Sequence, residues 1–496
     1  MKQLEFRDIR KDYKPNLNHA IIEQIWGHRF RVEQNPMLLL CELLCVLENQ
    51  FFSKETGEIQ QVFSPEHTHL KYKHSDKIGL RFLLYKNDKL ESIKKSSQNE
   101  KEKFKMQIEY LKTSDQLSDS DITHLEKQFD SFDSFYNSCK ILSSLTFDPL
   151  SNKRWGSKFV YPLSRDLLWS DYNNIKKNFD RRFFARGGEL IYLMLSRTSE
   201  TKRDELEQLF DDWMKSKEDS YSKLVKIIYP AVTERDKVNK PTRLGHLPYV
   251  SSSCFETLAD DLITILKLDL ERLDKAKLMA DMIGFHIGNY ILTIGEMFSD
   301  SNSSVIEKKP HFIVEIPLKS SNSIRKSSIE SISRQKNKLK NTLNNLFPAI
   351  VNNYFFESLD VEGIDQEKKE AKKSAEKYLS DHIMPYPNAC FRHIGFVSKK
   401  HSRSYRYVFS EDFLQSIVIT VLGAGKRLEF SKFIKTLEYR YNIFVDRVPD
   451  SSYSILQTDL NKNTKNLSNL LYQMGMLRHL SDACSYVINP YREDAI

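Results

Sequence analysis

Turn-makers are scarce in this chain. Glycine and proline number 15 each among 496 residues, about half the roughly 12% that average usage gives. So few breakers over so great a length predict long helices. They argue against a sandwich, a propeller or a glycine-rich nucleotide-binding barrel, each of which needs a turn every 8–12 residues or so. Length alone suggests about three domains at roughly 150 residues each. Hydrophobic residues make up 40% and charged residues 29%, the balance of a folded globular chain and not of a disordered one.

The net charge is +8, from 75 Lys and Arg against 67 Asp and Glu. This mild bias permits a polyanionic partner without demanding one. The opening Met1-Lys2-Gln3-Leu4-Glu5 lacks the apolar core of a signal peptide. No uninterrupted apolar run reaches the about 20 residues that span a bilayer, so no membrane partner is expected. Six scattered cysteines, Cys41, Cys45, Cys139, Cys254, Cys390 and Cys484, make no CxxC pair. They fit a reducing cytoplasm better than a disulfide framework.

Four regions are expected. Residues 1–150 mix helix and strand signals, with a buried helix from Pro36, a short strand at Leu80–Tyr85 and a polar linker or helical hairpin at 86–130. Residues 151–305 read as helical. Leu206, Leu209, Phe210 and Trp213 share one face there, and Leu258, Leu262, Ile265 and Leu266 another. Residues 306–400 open with a strand at Phe312–Ile316 and continue as basic amphipathic helix. Between 306 and 345 stand nine Lys and Arg against three Asp and Glu. Arg325, Lys326, Arg334, Lys336, Lys338 and Lys340 crowd the side away from an apolar stripe of Ile329, Ile332, Leu339 and Leu343, a surface suited to DNA phosphates.

The last hundred residues, 401–496, are the most legible. Glu411–Leu422 is an apolar helix broken by Gly423-Ala424-Gly425, and Leu428–Tyr441 an amphipathic one. A short strand at Ile443–Val445 and a Pro-Asp-Ser-Ser turn follow. A third helix, with Asp459 placed to cap it, runs to about Met474. Two strand-like runs near 476–480 and 485–488 end the chain. Helix, helix, strand, helix, hairpin is the order of a winged helix-turn-helix, whose third helix enters the major groove. Its exposed side would carry Asn461, Lys462, Asn463, Thr464, Lys465, Asn466 and Asn469, with Arg478 and His479 on the hairpin. Lysines neutralise phosphates, and asparagines hydrogen-bond bases or sugar. Against this stands the charge of 401–496: twelve Lys and Arg to ten Asp and Glu. Such modules also dock proteins.

No GxSxG, HExxH or kinase-type set appears in the sequence. Gly423-Ala424-Gly425-Lys426 is not a phosphate loop, because residue 420 is Thr and residue 427 is Arg. His67, His69 and His74 lack supporting carboxylates or cysteines for metal. Glu307-Lys308-Lys309 and Glu367-Lys368-Lys369 match half of a metal-dependent nuclease signature, and Asp300 precedes the first. Such a site needs a second carboxylate at a strand end to share the ion. Cys254 lies near His246 and Asp260 in sequence, which makes no triad. No cofactor is expected, and a non-enzyme is the preferred reading. Arg181, Arg182 and Arg186, with Phe183 and Phe184 before Gly187-Gly188 and an apolar helix, suit either a phosphate at the helix start or a domain interface. Arg29 and Arg31 make a similar, weaker patch.

Arg186-Gly187-Gly188-Glu189-Leu190 and the terminal Gly475-Met476-Leu477, Leu480-Ser481-Asp482-Ala483 and Asn489-Pro490-Tyr491 resemble segments of large, helix-rich accessory proteins in bacterial anti-phage operons. The phosphorothioation-dependent and methylation-associated restriction systems are the types concerned. The resemblance includes no catalytic motif. It implies a non-catalytic subunit working beside separate ATPase and nuclease proteins. Combined with the basic segment and the C-terminal module, the expectation is a DNA-binding accessory subunit contacting double-stranded DNA. The alternatives are a protein-only assembly scaffold and a metal-dependent nuclease with a degenerate site.

Overall fold

A computed structural model describes residues 17–66, 88–113, 117–144, 187–215, 220–228, 246–300, 308–316, 322–355, 361–481 and 484–493, with short strand segments at 2–4, 71–72, 146–147, 159–160, 172–173, 178–179 and 242–243. The protein is mostly helical with few strands, as the shortage of breakers predicts. The strand expected at Leu80–Tyr85 lies outside the described residues.

Helix α1 (Leu17–Trp26) leads to α2 (Pro36–Glu55). Asn35 caps α2, its side chain accepting from the Leu38 N–H at 2.9 Å, and Pro36 sits in the first turn, where no amide is needed. By length and composition α2 could cross a membrane, with a mean hydropathy of 1.3 over its best window, yet 78% of that window is buried inside the protein. Its buried face also holds Glu42, Glu48, Asn49 and Gln50, which a lipid-facing helix would not carry.

The region expected as a polar linker or helical hairpin consists of helices. α3 (Asp88–Lys94), α4 (Glu100–Thr113), α5 (Asp119–Gln128) and α6 (Phe132–Ser144) enclose a core of their own. It includes Ile93, Ile108, Leu111, Ile122, Leu125, Phe132 and Phe135, with Val225 and Ile228 added from a distant helix. Lys and Glu dominate the outer faces, so the average composition concealed a thin apolar stripe on each helix.

A second, larger core takes side chains from both sides of residues 305 and 400. It gathers α2, α7 (Gly187–Ser196), α8 (Glu200–Met214), α10 (Ser253–Leu266), α11 (Arg272–Phe298), α12 (Ser323–Phe355), α13 (Val361–Tyr378) and α14 (Tyr386–His393), while α9 (Ser220–Ile228) supplies the distant side chains to the smaller core. Helix α11 is the axis. It is buried almost all round from Lys275 to Gly295 and touches α2, α10, α12 and α14. Close approach requires small residues: a Cβ at Gly288 would lie 2.3 Å from the Phe391 ring. Helix α12 runs further than the basic segment predicted, through Pro348 to Phe355.

The C-terminal elements are α15 (Glu411–Leu422), β4 (Arg427–Glu429), α16 (Phe430–Tyr441), β5 (Ile443–Phe444), α17 (Gln457–Gln473), β6 (Leu477–Ser481) and β7 (Cys484–Ile488). Before them, β1 (Phe312–Ile313), β2 (Val397–Ser398) and β3 (Arg406–Tyr407) lie in the body. Strands β4, β7 and β6 form one sheet in that order. The helix expected from Leu428 therefore starts two residues later, because Arg427–Glu429 pairs antiparallel with Tyr486–Ile488. Strand β5 leaves this sheet and pairs in parallel with β1, stitching the tail to the body.

Candidate nucleic-acid interface

Helix α17 presents Asn461, Lys462, Lys465 and Asn469 to solvent. The inner side buries Leu460, Leu467 and Leu471. Thr464 is half-buried, and its hydroxyl donates to the Leu460 carbonyl at 3.0 Å. Asn466 is half-buried as well. Arg478 is exposed on the adjoining β6–β7 hairpin. Next to it His479 Nδ1 lies 2.8 Å from Ser485 Oγ, and the His479 ring sits 5.3 Å from that of Tyr472.

Asn463 departs from the expected exposed face. It is buried, accepting from the Ile316 N–H at 2.8 Å and donating to the Val314 and Val445 carbonyls, each at 2.9 Å. It therefore satisfies backbone groups where α17, β1 and β5 meet. Asp459 also has another job. The helix starts at Gln457, and the Asp459 carboxylate accepts from the Ser323 N–H (2.9 Å) and hydroxyl (2.6 Å) at the start of α12. These hydrogen bonds hold its carboxyl below the usual range.

The basic face of α12 is smaller than its sequence suggests. Arg325 is buried, its guanidinium bidentate on Glu315, and is not available to DNA. Arg334 pairs with Glu330 at 2.6 Å, reaches the Ser452 carbonyl and lies over the Tyr453 ring. Lys338 pairs with Glu296 of α11. Among the described residues, Lys326, Lys336 and Lys340 make no ion pair, and Lys336 is half-buried. The local charge count includes Glu315 and Glu330 but not Glu296, and it does not show which cations they neutralise.

Arg181, Arg182 and Arg186 lie outside the described residues, as do His67, His69, His74 and Glu307. The helix start beside those arginines is described: Gly188 N–H donates to Glu42 Oε2 at 2.9 Å. A buried carboxyl from α2, not a phosphate, meets this helix-start amide. Burial pushes the Glu42 carboxyl up to about 8, the neighbouring Glu189 adding to the rise. Arg29 pairs with Glu23 at 2.8 Å.

The glycine loop after α15 is a structural joint. Gly423 has φ +74°, its carbonyl accepts from Asn489 at 2.6 Å, and Gly425 N–H donates to the Tyr491 carbonyl at 2.7 Å. Asn489 and Tyr491 thus close the C-terminal module on itself.

One constellation escaped sequence reasoning. Cys254 Sγ lies 3.9 Å from His286 Nδ1, and His286 Nε2 lies 2.6 Å from Asp261 Oδ2. Nucleophile, base and orienting acid in that order is the pattern of covalent catalysis. All three are buried, however, and Asp261 Oδ1 is taken by Arg440 and by Tyr441 at 2.9 Å. The group braces α10, α11 and α16. The partners lie 25 residues or more apart in sequence except for Cys254 and Asp261, which share one helix, so spacing gave no signal.

No group of three metal-ligating side chains occurs among the described residues. Glu367 and Lys369 stand exposed on α13. No family model matches the chain, and neither a curated protein nor a solved structure proves similar to it.

Proposed function

We propose that the C-terminal module is a winged helix-turn-helix and that the chain is a non-catalytic, DNA-binding accessory subunit of a multi-protein bacterial anti-phage complex. The observation that carries the DNA reading is the exposed triplet Lys462, Lys465 and Asn469 beside Arg478 on the hairpin. Sheet order β4–β7–β6, with α17 leading into the hairpin, is the arrangement such modules use. In this mechanism Lys462 and Lys465 meet phosphates, Asn469 and Thr464 face the groove, and Arg478 reaches the flanking backbone. Lys326, Lys336 and Lys340 add a second cationic strip. The ATPase and nuclease partners follow from the resemblance alone.

Titrating full-length protein against a fluorescent duplex tests this. Lys462→Ala/Lys465→Ala/Asn469→Ala is expected to weaken binding at least tenfold at low salt without lowering thermal stability. Equal binding by the triple variant would defeat the reading.

A protein-only scaffold is favoured by a different observation. Tyr439, Leu456, Tyr472 and Leu480 each expose more than half of their surface, and all four lie in the C-terminal module. Covering such side chains with a partner would remove apolar surface from water. That reading predicts no duplex binding by the isolated chain and co-purification with a partner lost on Tyr472→Ser/Leu480→Ser.

A further inference from the structure

We propose that a pocket under the β2–β3 hairpin binds a nucleoside phosphate. The cavity measures about 710 Å³, a size suited to a small-molecule ligand. Five basic side chains line it, Arg392, Lys399, Lys400, His401 and Arg406, and none of its lining residues is acidic. Val408 and Phe409 give it an apolar wall, and Tyr405 stands at the hairpin with Lys399 Nζ 4.3 Å from its ring centre.

Arg406 is the buried member of this basic lining. It is 1% exposed, and its Nε is bound to the buried Glu315 carboxylate, which Arg325 shares. Its Nη1 is buried and has no hydrogen-bond partner among the described residues. A buried guanidinium donor left unmatched is costly, and Arg392, Lys399 and Lys400 around the same cavity leave its lining cationic with no carboxylate to balance it. Guanidinium and ammonium groups together are the usual phosphate receptors. The apolar wall and the Tyr405 ring suit a base at the other end of the same ligand.

The hairpin tip is already set for such a ligand. His401 is left-handed at φ +61°, a conformation that costs a non-glycine residue energy and clusters at ligand loops. Its carbonyl accepts from Arg325 Nη1 at 3.2 Å, and Lys400 N–H donates to Ser398 Oγ at 3.0 Å. This site is separate from the α17 face and stands whether or not that face binds DNA.

Calorimetric titration of the full-length protein with ADP and with inorganic phosphate tests the proposal. ADP is expected to bind saturably and more tightly than phosphate. Lys399→Ala/Lys400→Ala, at two exposed positions, is expected to weaken it at least tenfold with an unchanged melting curve. Lys462→Ala/Lys465→Ala should leave ADP affinity as it was. Competition by a 5′-phosphorylated dinucleotide would assign the phosphate to a nucleic-acid end, and its failure to compete would assign it to a free nucleotide. Absence of saturable ADP binding, or ADP binding indifferent to the Lys399/Lys400 change, overturns the proposal.

Discussion

Arg440 of α16 donates to the carboxylate of Asp261 on α10, and Asp261 is completely buried. The same carboxylate accepts from Tyr441, whose hydroxyl also meets Thr420 Oγ1 at 2.8 Å, while its other oxygen faces His286. The C-terminal module is thus fastened to the body through one buried anion. Burial alone would push the Asp261 carboxyl up; the Arg440 charge and the His286 hydrogen bond overcome that and hold it below the usual range.

Removing one partner of such a pair strands the other. Arg440→Met is expected to lower stability by about 3–5 kcal/mol. Asp261→Asn/Arg440→Met should recover much of the loss. The sign with pH follows from the depressed carboxyl. Its contribution is complete above the unfolded value, about 3.9, and disappears as pH falls through the lower folded value. Thermal melts between pH 6 and pH 3 should therefore fall more steeply for the native chain than for the double variant.

Glu42 works in the opposite direction. Its carboxyl is raised from 4.5 to about 8, by burial first and then by Glu189, against hydrogen bonds from the Gly188 and Gly187 amides. A raised carboxyl contributes stability that is complete below about 4.5 and lost as pH climbs to about 8. Asp281, raised to about 7 by burial and by Asp412, adds a decline of the same sign. The informative quantity is the difference between variants. Glu42→Gln should melt higher than the native chain at pH 9, and that advantage should vanish or reverse at pH 5.

The helical class was legible because breakers are few and apolar stripes repeat at helical spacing. The C-terminal order was legible because Gly423, Gly475 and the Pro449–Ser452 turn mark its joints. Three things were not. Between Asp88 and Ser144 a helical hairpin was one expectation, but the separate core that Leu111, Leu125 and Phe135 share was not, because its side chains come from several helices. Strand β4 is three residues long and is defined only by pairing with β7, 57 or more positions away. The basic strip of α12 lost Arg325 to Glu315, which burial brings against it, and Lys338 to Glu296, which lies outside the local stretch.

Salt dependence discriminates between contacts on α17. Each phosphate contact releases counterions, so removing one lysine should reduce the slope of log affinity against log salt by about 1. Lys462→Ala and Lys465→Ala are each expected to do so for any duplex sequence. Asn469→Ala should leave the slope unchanged and alter discrimination between sequences. Anisotropy titrations from 50 to 200 mM salt, on several duplexes, read both effects. An unaltered slope for both lysine variants would remove α17 from the backbone.

Asn463 separates folding from binding on that same helix. Its amide nitrogen faces two carbonyls, Val314 and Val445, and its oxygen meets the Ile316 amide. Three backbone groups from two elements depend on one side chain. Asn463→Ala leaves them buried without partners, at about 1–3 kcal/mol for each unsatisfied group. Asn463→Asp is expected to be worse, because it places a buried carboxylate against two carbonyl oxygens and removes the side-chain N–H groups they accept from. Both variants should unfold at lower urea concentration, and where folded they should keep the salt slope of the native chain. Lys465→Ala, two positions on, should show the reverse: native urea midpoint and a shallower slope. If Asn463→Ala changed duplex affinity while leaving the urea midpoint untouched, the side chain would have to face solvent, and the junction of α17 with β1 and β5 would be wrong.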